Sequence, residues 1–450
     1  MNSKPVQNPG GLKHIVVFSL PMILSQACES LMVFTDRYLL SLHDPTAPSA
    51  AQVGGLTAFL LWIFGTGLLG YTSPLVAQFT GAGQADKARC LVPQVFLIAI
   101  LLACPILLWG ENFGAFYFHF LKIPAEEYPL ALQYFSLLSK GCFFVFIKVG
   151  VASYFSGIGQ TRTVMSVNLL GLFVNIPLSY TFINGALGHA WSGVKGAALG
   201  TLIAEALMAS VLTLLFVRNH AKGMRWRFHR ELLGKLLFYG APTGLEFLIL
   251  STAFSSFLTL FHSYGLATAQ AITIVMSWGW LTVLPFFGLG IGISSLVGHA
   301  LGEGNTQLAE KLTKSGIWLA LVIVGIASIG FLFFTKLMIA VFSGSPGHSV
   351  NSLAITMLRT LPLYCLFDAL SFVLAASLRA AGDTRFCLKV GFIAHWTCLV
   401  ICYFGIFYGN FSALSIWGLF IFTLFGQAFA NGYRYVQGSW KKLDLVSFPR

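Results

Sequence analysis

Charge is the scarcest feature of this chain. Only 9% of its 450 residues are Asp, Glu, Lys or Arg, and 15 are acidic, against roughly 25% charged residues in a soluble domain. That shortage excludes an ordinary water-soluble fold. The eight cysteines, Cys28, Cys90, Cys104, Cys142, Cys365, Cys387, Cys398 and Cys402, contain no C-x-x-C pair. Nearly all fall within apolar runs, where a thiol packs as a small hydrophobe. Cys398 and Cys402 share a helix face, a spacing better explained by burial than by metal binding. No H-E-x-x-H, no G-x-S-x-G elbow and no Asp-rich metal motif is present, and none of the ten histidines pairs with another at ligand spacing. A membrane-embedded enzyme, a resident metal and an organic cofactor therefore find no support. No cleavable signal peptide is evident either, because the first apolar run is too long and follows a polar stretch with only Lys4 and Lys13.

What the chain has instead is apolar length: 56% hydrophobic residues, 42 phenylalanines and a mean hydropathy of +0.79. A membrane span needs about 20 mostly apolar residues. Twelve segments qualify, at 14–41, 53–80, 89–110, 129–156, 163–187, 194–217, 236–262, 267–300, 315–341, 351–379, 385–409 and 413–437. An all-α integral membrane protein of twelve transmembrane helices is expected. The net charge of +12 is unevenly placed. With a cytoplasmic N-terminus, the inside loops carry Lys87, Arg89, Arg162, the cluster Arg218, Lys222, Arg225, Arg227, Arg230 and Lys235, then Lys311, Lys314, Arg385, Lys389, Arg434, Lys441, Lys442 and Arg450, while the outside loops hold chiefly Lys122 and Lys336. This positive-inside asymmetry places both termini in the cytoplasm and argues against a nucleic-acid partner.

The chain also repeats itself. "TSPLVAQFTGAGQADKA" (72–88) aligns without gaps on "ISSLVGHALGEGNTQLA" (293–309) at an offset of 221, and the same offset sets Pro21 on Pro242. "GQTR" (159–162) and "GDTR" (382–385) follow after a two-residue slip. Three ordered matches imply a duplicated unit. The expected division is an N-lobe at 1–217, a basic solvated linker at 218–235 and a C-lobe with a cytoplasmic tail at 236–450. Six spans per unit bring both lobes into the membrane from the same side, related by an axis along the membrane normal, which is a transporter architecture. Pro21 and Pro242 each lack an N–H early in the first span of their half, so each is a hinge or a static kink. "TGAGQ" and "LGEGN" match no phosphate-binding pattern and are expected to be tight turns.

Five acids interrupt the spans: Glu29, Asp36, Glu205, Glu246 and Asp368. An acid at a helix centre costs about 2.5 to 3.5 kcal/mol on insertion scales, and such residues mark ion paths or proton relays unless a buried cation pairs with them permanently. Lys140, Lys148, Arg37 and Arg359 are available for such pairing. The repeat does not demand the acids, since Asp36 falls on Phe257, Glu246 on Ser25 and Asp368 on Val145. Ser25, Glu29 and Asp36 form a polar stripe on one face of the first span. Asn175 and Ser179 lie one turn apart in the fifth, and Thr201 precedes Glu205 by one turn in the sixth. A carboxylate among amide and hydroxyl oxygens suits a proton or a hard monovalent cation, while small polar residues such as Ser179 also pack helices together.

"LPMILSQ" (20–26), "FTDRYLLSLH" (34–43), "LVAQFTGAGQADKAR" (75–89), "GIGQTRTVMSVNLLGLFVNIPLSYTFING" (157–185), "VKGAALGTLIAEA" (194–206) and "LRAAGDTR" (378–385) resemble the multidrug and toxic compound extrusion (MATE) family, in its bacterial NorM-like branch. The resemblance implies two lobes, a central cavity, and export of small organic cations of amphipathic character from a bacterial inner membrane by a monomer, in exchange for Na+ or H+. It implies a cation or proton site at Asp36 with Asn175, Ser179 and Thr201, and further coupling acids at Asp368 and Glu246, with Glu29 and Glu205 as polar groups of the cavity. Two positions depart from the pattern. Ser179 stands where some members carry aspartate, which leaves Na+ and H+ both open, and Glu246 lies about one turn before the glutamate of NorM-like members. A flippase for an anionic lipid-linked precursor is the nearest rival; its cavity should be rich in Arg and Lys, whereas acids are at least as prominent here.

Overall fold

The computed structural model describes residues 10–443 and 445 apart from 122, 187, 223, 225 and 343–347. Lys4, Lys122, Arg225 and Arg450 of the charge pattern lie outside the described residues. The fold is helical: α1 (Leu12–His43), α2 (Ala47–Gly70), α3 (Thr72–Gly81), α4 (Ala85–Arg89), α5 (Leu91–Phe120), α6 (Tyr128–Lys140), α7 (Cys142–Gly157), α8 (Thr161–Ile183), α9 (Val194–Asn219), α10 (Arg230–His262), α11 (Leu266–Gly302), α12 (Thr306–Phe333), α13 (Thr335–Phe342), α14 (His348–Ala380), α15 (Thr384–Phe407) and α16 (Ala413–Gln437). Among the described residues, eleven helices, counting α2 with α3 and α4 with α5, are long and apolar enough to cross a membrane. The pair α6 and α7, bent by 49°, makes a twelfth when taken as one span. Large apolar side chains such as Phe116, Phe120, Trp318, Ile326 and Phe333 are exposed on the outside of these helices, where only a lipid environment would shield them.

The third expected span runs ten residues past its expected end at 110, so Glu111 sits inside α5 and accepts a hydrogen bond from Ser136 Oγ at 2.9 Å. The basic stretch 218–235 also departs from expectation. Read as a solvated linker, it is pinned down: Gln94 Nε2 donates to Arg227 O at 3.0 Å, Arg89 to His220 O at 3.3 Å, and Trp226 packs edge-on against Phe96 and Phe216. Apolar and backbone partners hold these residues despite the surrounding charge.

The duplication is written into the backbone. Gly83 and Gly304, equivalent in the repeat, both have φ +73°, and Gly159 and Gly382 have φ +85° and +95°. After each, an N–H reaches back five residues: Gln84 to Phe79, Gln160 to Phe155 and Asn305 to Ala300 at 2.8 Å, and Asp383 to Leu378 at 2.9 Å. This is the helix stop that left-handed glycine permits. The Gly-rich ends are turns between helices.

Two compact units emerge, and chain order alone does not define them: residues 24–244 form one, and residues 1–23 with 245–450 form the other. Both boundaries fall inside continuous helices, α1 and α10, two residues past Pro21 and Pro242. In the second unit the start of α1 lies against α11, where a Cβ on Gly288 would meet Ile23 Cα at 2.5 Å and one on Gly292 would meet Ser19 Oγ at 2.3 Å. In the first unit the start of α10 lies equally close to α2, where a Cβ on Gly240 would meet Leu68 O at 2.7 Å and one on Gly244 would meet Phe64 O at 2.3 Å. The same approach recurs with the glycines on the opposite helix. Small residues at such points let helix backbones touch.

Candidate functional site

Asp36, buried to 2% exposure, is fixed by the way α8 and α9 meet in the unit of residues 24–244. The segment "GAALGT" allows that meeting: a Cβ on Gly196 would lie 2.4 Å from the Phe182 carbonyl carbon, and one on Gly200 would lie 2.7 Å from Ser179 Oγ. Thr201, the next residue, is thereby brought up against α8. Its hydroxyl donates to Asp36 Oδ2 at 2.5 Å and receives Asn175 Nδ2 at 3.4 Å, while Asn175 Nδ2 also donates to Ser179 Oγ at 3.2 Å. Asn175 and Ser179 are fully buried. Four expected residues from three helices thus form one cluster. Two acceptors in it, Asp36 Oδ1 and Asn175 Oδ1, are buried without a partner among the described residues. Among the described residues no Lys, Arg or His forms an ion pair with Asp36, Arg37 and Lys148 included.

Glu29 and Glu205 belong to a second cluster in the same unit. Lys148 Nζ on α7 lies 3.1 Å from Glu29 Oε1 and 2.9 Å from Glu205 Oε1. Asn168 on α8 donates to Glu29 Oε1 at 3.1 Å and to Ser25 Oγ at 2.6 Å, which ties the polar stripe of α1 together. Of the four cations considered as static partners, Lys148 alone pairs with any of the five span acids among the described residues. Asn168 escaped the sequence reading, although its spacing of seven from Asn175 puts it on the same helix face.

The other unit separates its two acids. Glu246 is 2% exposed and accepts from Arg379 Nη1 at 3.0 Å, with the guanidinium 5.6 Å from the Phe247 ring. Arg379, the last residue of the expected span 351–379, is not among the four cations that the sequence offers as static partners. Asp368 on α14 has no ion pair or hydrogen bond among the described residues. One turn before it, Tyr364 is packed on Trp417 and Phe420, so its surroundings are largely apolar. No group of three or more His, Cys, Asp or Glu side chains converges among the described residues in a way that could hold a metal. Cys398 and Cys402 do meet, with sulfurs 3.8 Å apart, as a buried pair.

Repeated helical halves, a buried carboxylate in Asp36 and a half-buried one in Asp368 that no cation pairs with among the described residues, and a surface of apolar side chains define a multi-pass transporter. The MatE family model matches residues 21–181 and again 242–404, two segments that start 221 residues apart, as the internal repeat does. The chain belongs to the MatE family: it is a membrane transporter of small molecules powered by ion coupling, and it is not an enzyme. It is 25% identical over 390 residues to "Multidrug resistance protein NorM" of Aliivibrio fischeri, covering 85% of this chain and 84% of that protein. Its fold matches an outward-facing multidrug resistance MATE transporter of the MOP superfamily with a TM-score of 0.84, 22% identity and full coverage of both chains. It also matches a MOP superfamily transporter from Pyrococcus furiosus with a TM-score of 0.87 and 21% identity, over 98% of this chain and 100% of that one. The binding pocket of that transporter has reversed polarity, which suggested a different function for it.

Proposed function

We propose that the protein is a multidrug efflux antiporter that exports cationic amphipathic compounds in exchange for Na+ or H+. The observation that carries this reading is the pair of unpartnered buried acceptors, Asp36 Oδ1 and Asn175 Oδ1. A carboxylate that no protein cation neutralises is the group whose charge can change hands in a cycle, and the site lacks one donor or cation. Asp368 has the same property and is the second coupling acid. Glu246 enters the reading differently, as an acid held by Arg379, and Glu29 and Glu205 are held by Lys148. The cargo is assigned as cationic because the uncompensated groups are acids; the distant NorM relative is consistent with that class.

Coupling follows when each ligand binds two conformations differently. Binding of the ion at Asp36 or Asp368 favours one conformation and binding of drug the other, so the two are exchanged across the membrane by alternating access. Pro21 and Pro242 are the hinges in this scheme, since each removes a backbone hydrogen bond within two residues of a unit boundary. The positive-inside charge pattern supports a multi-pass topology with both termini cytoplasmic, and the reading takes the protein as a monomer of a bacterial inner membrane. Purified protein in proteoliposomes, loaded with a fluorescent organic cation and subjected separately to Na+ and H+ gradients, tests the reading. Gradient-driven movement of the dye is expected; movement that ignores both gradients refutes ion-coupled export of such cations.

A further inference from the structure

Seven residues before Asp36 on α1 and four after Thr201 on α9, the Lys148 cluster sits about one to two helical turns from the Asp36 site, at 1.5 Å of rise per residue. Asn168 precedes Asn175 on α8 by the same two turns, so the second cluster lies toward the end of the unit that holds the Gly159 turn. Two carboxylates share one ammonium there, leaving one negative charge in excess. The cluster is closed around Lys148 and open at Glu29: the Lys148 side chain is 7% and that of Glu205 15% exposed, and Asn168 is 3% exposed, whereas the Glu29 side chain is 38% exposed. Two acceptors remain unpartnered and buried, Glu205 Oε2 and Asn168 Oδ1. The ionisable and polar groups that meet here are Glu29 and Ser25 from α1, with Cys28 adjoining, Lys148 from α7, Asn168 from α8 and Glu205 from α9.

We propose that this cluster is a second proton-binding station, distinct from Asp36, which takes up one proton at Glu205 Oε2. A metal cation fits it poorly, because the Lys148 ammonium already occupies the point between the two carboxylates where a bridging ion would lie, and it would repel a second positive charge. A proton needs no such space. Its transfer from a hydronium ion breaks one O–H bond there, releasing water, and forms one at Oε2, which brings the cluster from one negative charge to neutral and turns an orphaned acceptor into a donor. Lys148 keeps both carboxylates close enough together for this exchange while preventing either from holding the proton permanently. A proton that leaves Asp36 toward the Gly159 end of the unit passes this cluster on the way.

The proposal does not depend on Asp36 being a coupling site, and its test reads the proton itself. In lipid nanodiscs, the infrared band of protonated buried carboxyls is followed against pH for the Asp36→Asn/Asp368→Asn double variant, alongside proton uptake in weak buffer. In that variant a buried carboxyl is expected to titrate, and adding Glu205→Gln is expected to remove one carboxyl from the band, with a loss of one proton per protein; Glu246, buried against Arg379, is present in both variants and cancels in the difference. A double variant with no titrating buried carboxyl overturns the proposal even if the triple variant does not fold. A band and a proton uptake left undiminished by Glu205→Gln overturn it equally.

Discussion

Replacing Asp36 by asparagine removes a charge and preserves a shape, and the structure dictates what each change should do. In the wild type Thr201 Oγ1 donates to Asp36 Oδ2 at 2.5 Å; the asparagine keeps an oxygen at that place, so the loss is the charge assistance, about 1 kcal/mol. Against it stands relief from burying a carboxylate with no cation partner, a penalty of about 2.5 to 3.5 kcal/mol at a span centre on insertion scales. The new amide also brings a donor into a site where Asn175 Oδ1 has none. Stability should therefore hold or rise slightly. Had Asp36 been the permanent partner of a lysine, the same substitution would strand a buried cation and cost about 3 to 5 kcal/mol. One purified Asp36→Asn sample should be divided between a thermal melt and ion-driven efflux in proteoliposomes. The expected outcome is an unchanged or raised Tm, drug binding retained, and gradient-driven transport abolished. A lowered Tm would refute the reasoning about burial, and intact coupling in a stable protein would refute the role given to Asp36.

Asp368→Asn should likewise impair efflux of cationic dye without loss of stability, because no cation is left behind; normal transport with unchanged ion dependence would remove Asp368 from the mechanism. Arg379→Met should destabilise the protein by about 3 to 5 kcal/mol by stranding Glu246, and Glu246→Gln added to it should restore much of that loss. A double-mutant cycle by thermal melting measures the coupling, and additive effects would mean that the 3.0 Å contact carries little energy. Gly196→Val should cost at least about 1 to 3 kcal/mol, since even a Cβ would lie 2.4 Å from backbone on α8. It should also abolish transport by moving Thr201 away from Asp36, and a variant with normal Tm and transport would show that the close approach is dispensable.

Much of this was legible in the sequence because the signals were periodic or compositional. Apolar length located the spans, and the offset of 221 was visible in strings that the structure shows to be left-handed glycine turns, where few residues can replace glycine without strain. The polar cluster at Asp36 could be read because Asn175 and Ser179 share a face by spacing, and its assembly was carried by a family resemblance across three helices. Pairing was harder to read. Glu246 and Arg379 are 133 residues apart, and helical periodicity places each on a face without saying which distant face it meets. Lys148 was one of four available cations, and sequence spacing contained nothing to assign it to Glu29 and Glu205 together.

The unit boundaries show a deeper limit. Apolar runs see α1 and α10 as single spans, and each is a single helix, yet the structure assigns the residues before and after position 23, and before and after 244, to different units. The reason lies in steric complementarity that repeats without repeating residues: Gly288 and Gly292 make room for Ile23 and Ser19, whereas Gly240 and Gly244 make room for Leu68 and Phe64. At the offset of 221, Gly240 falls on Ser19, Gly244 on Ile23 and Gly292 on Tyr71, so a gapless alignment scores these positions as mismatches although the close approach recurs within the molecule; Gly288 on Gly67 and Leu68 on Leu289 are the matches. Pro21 and Pro242 do align, since a proline acts on its own backbone and needs no matching partner. Local determinants thus survive duplication as identity, and most of these contact determinants survive as shape.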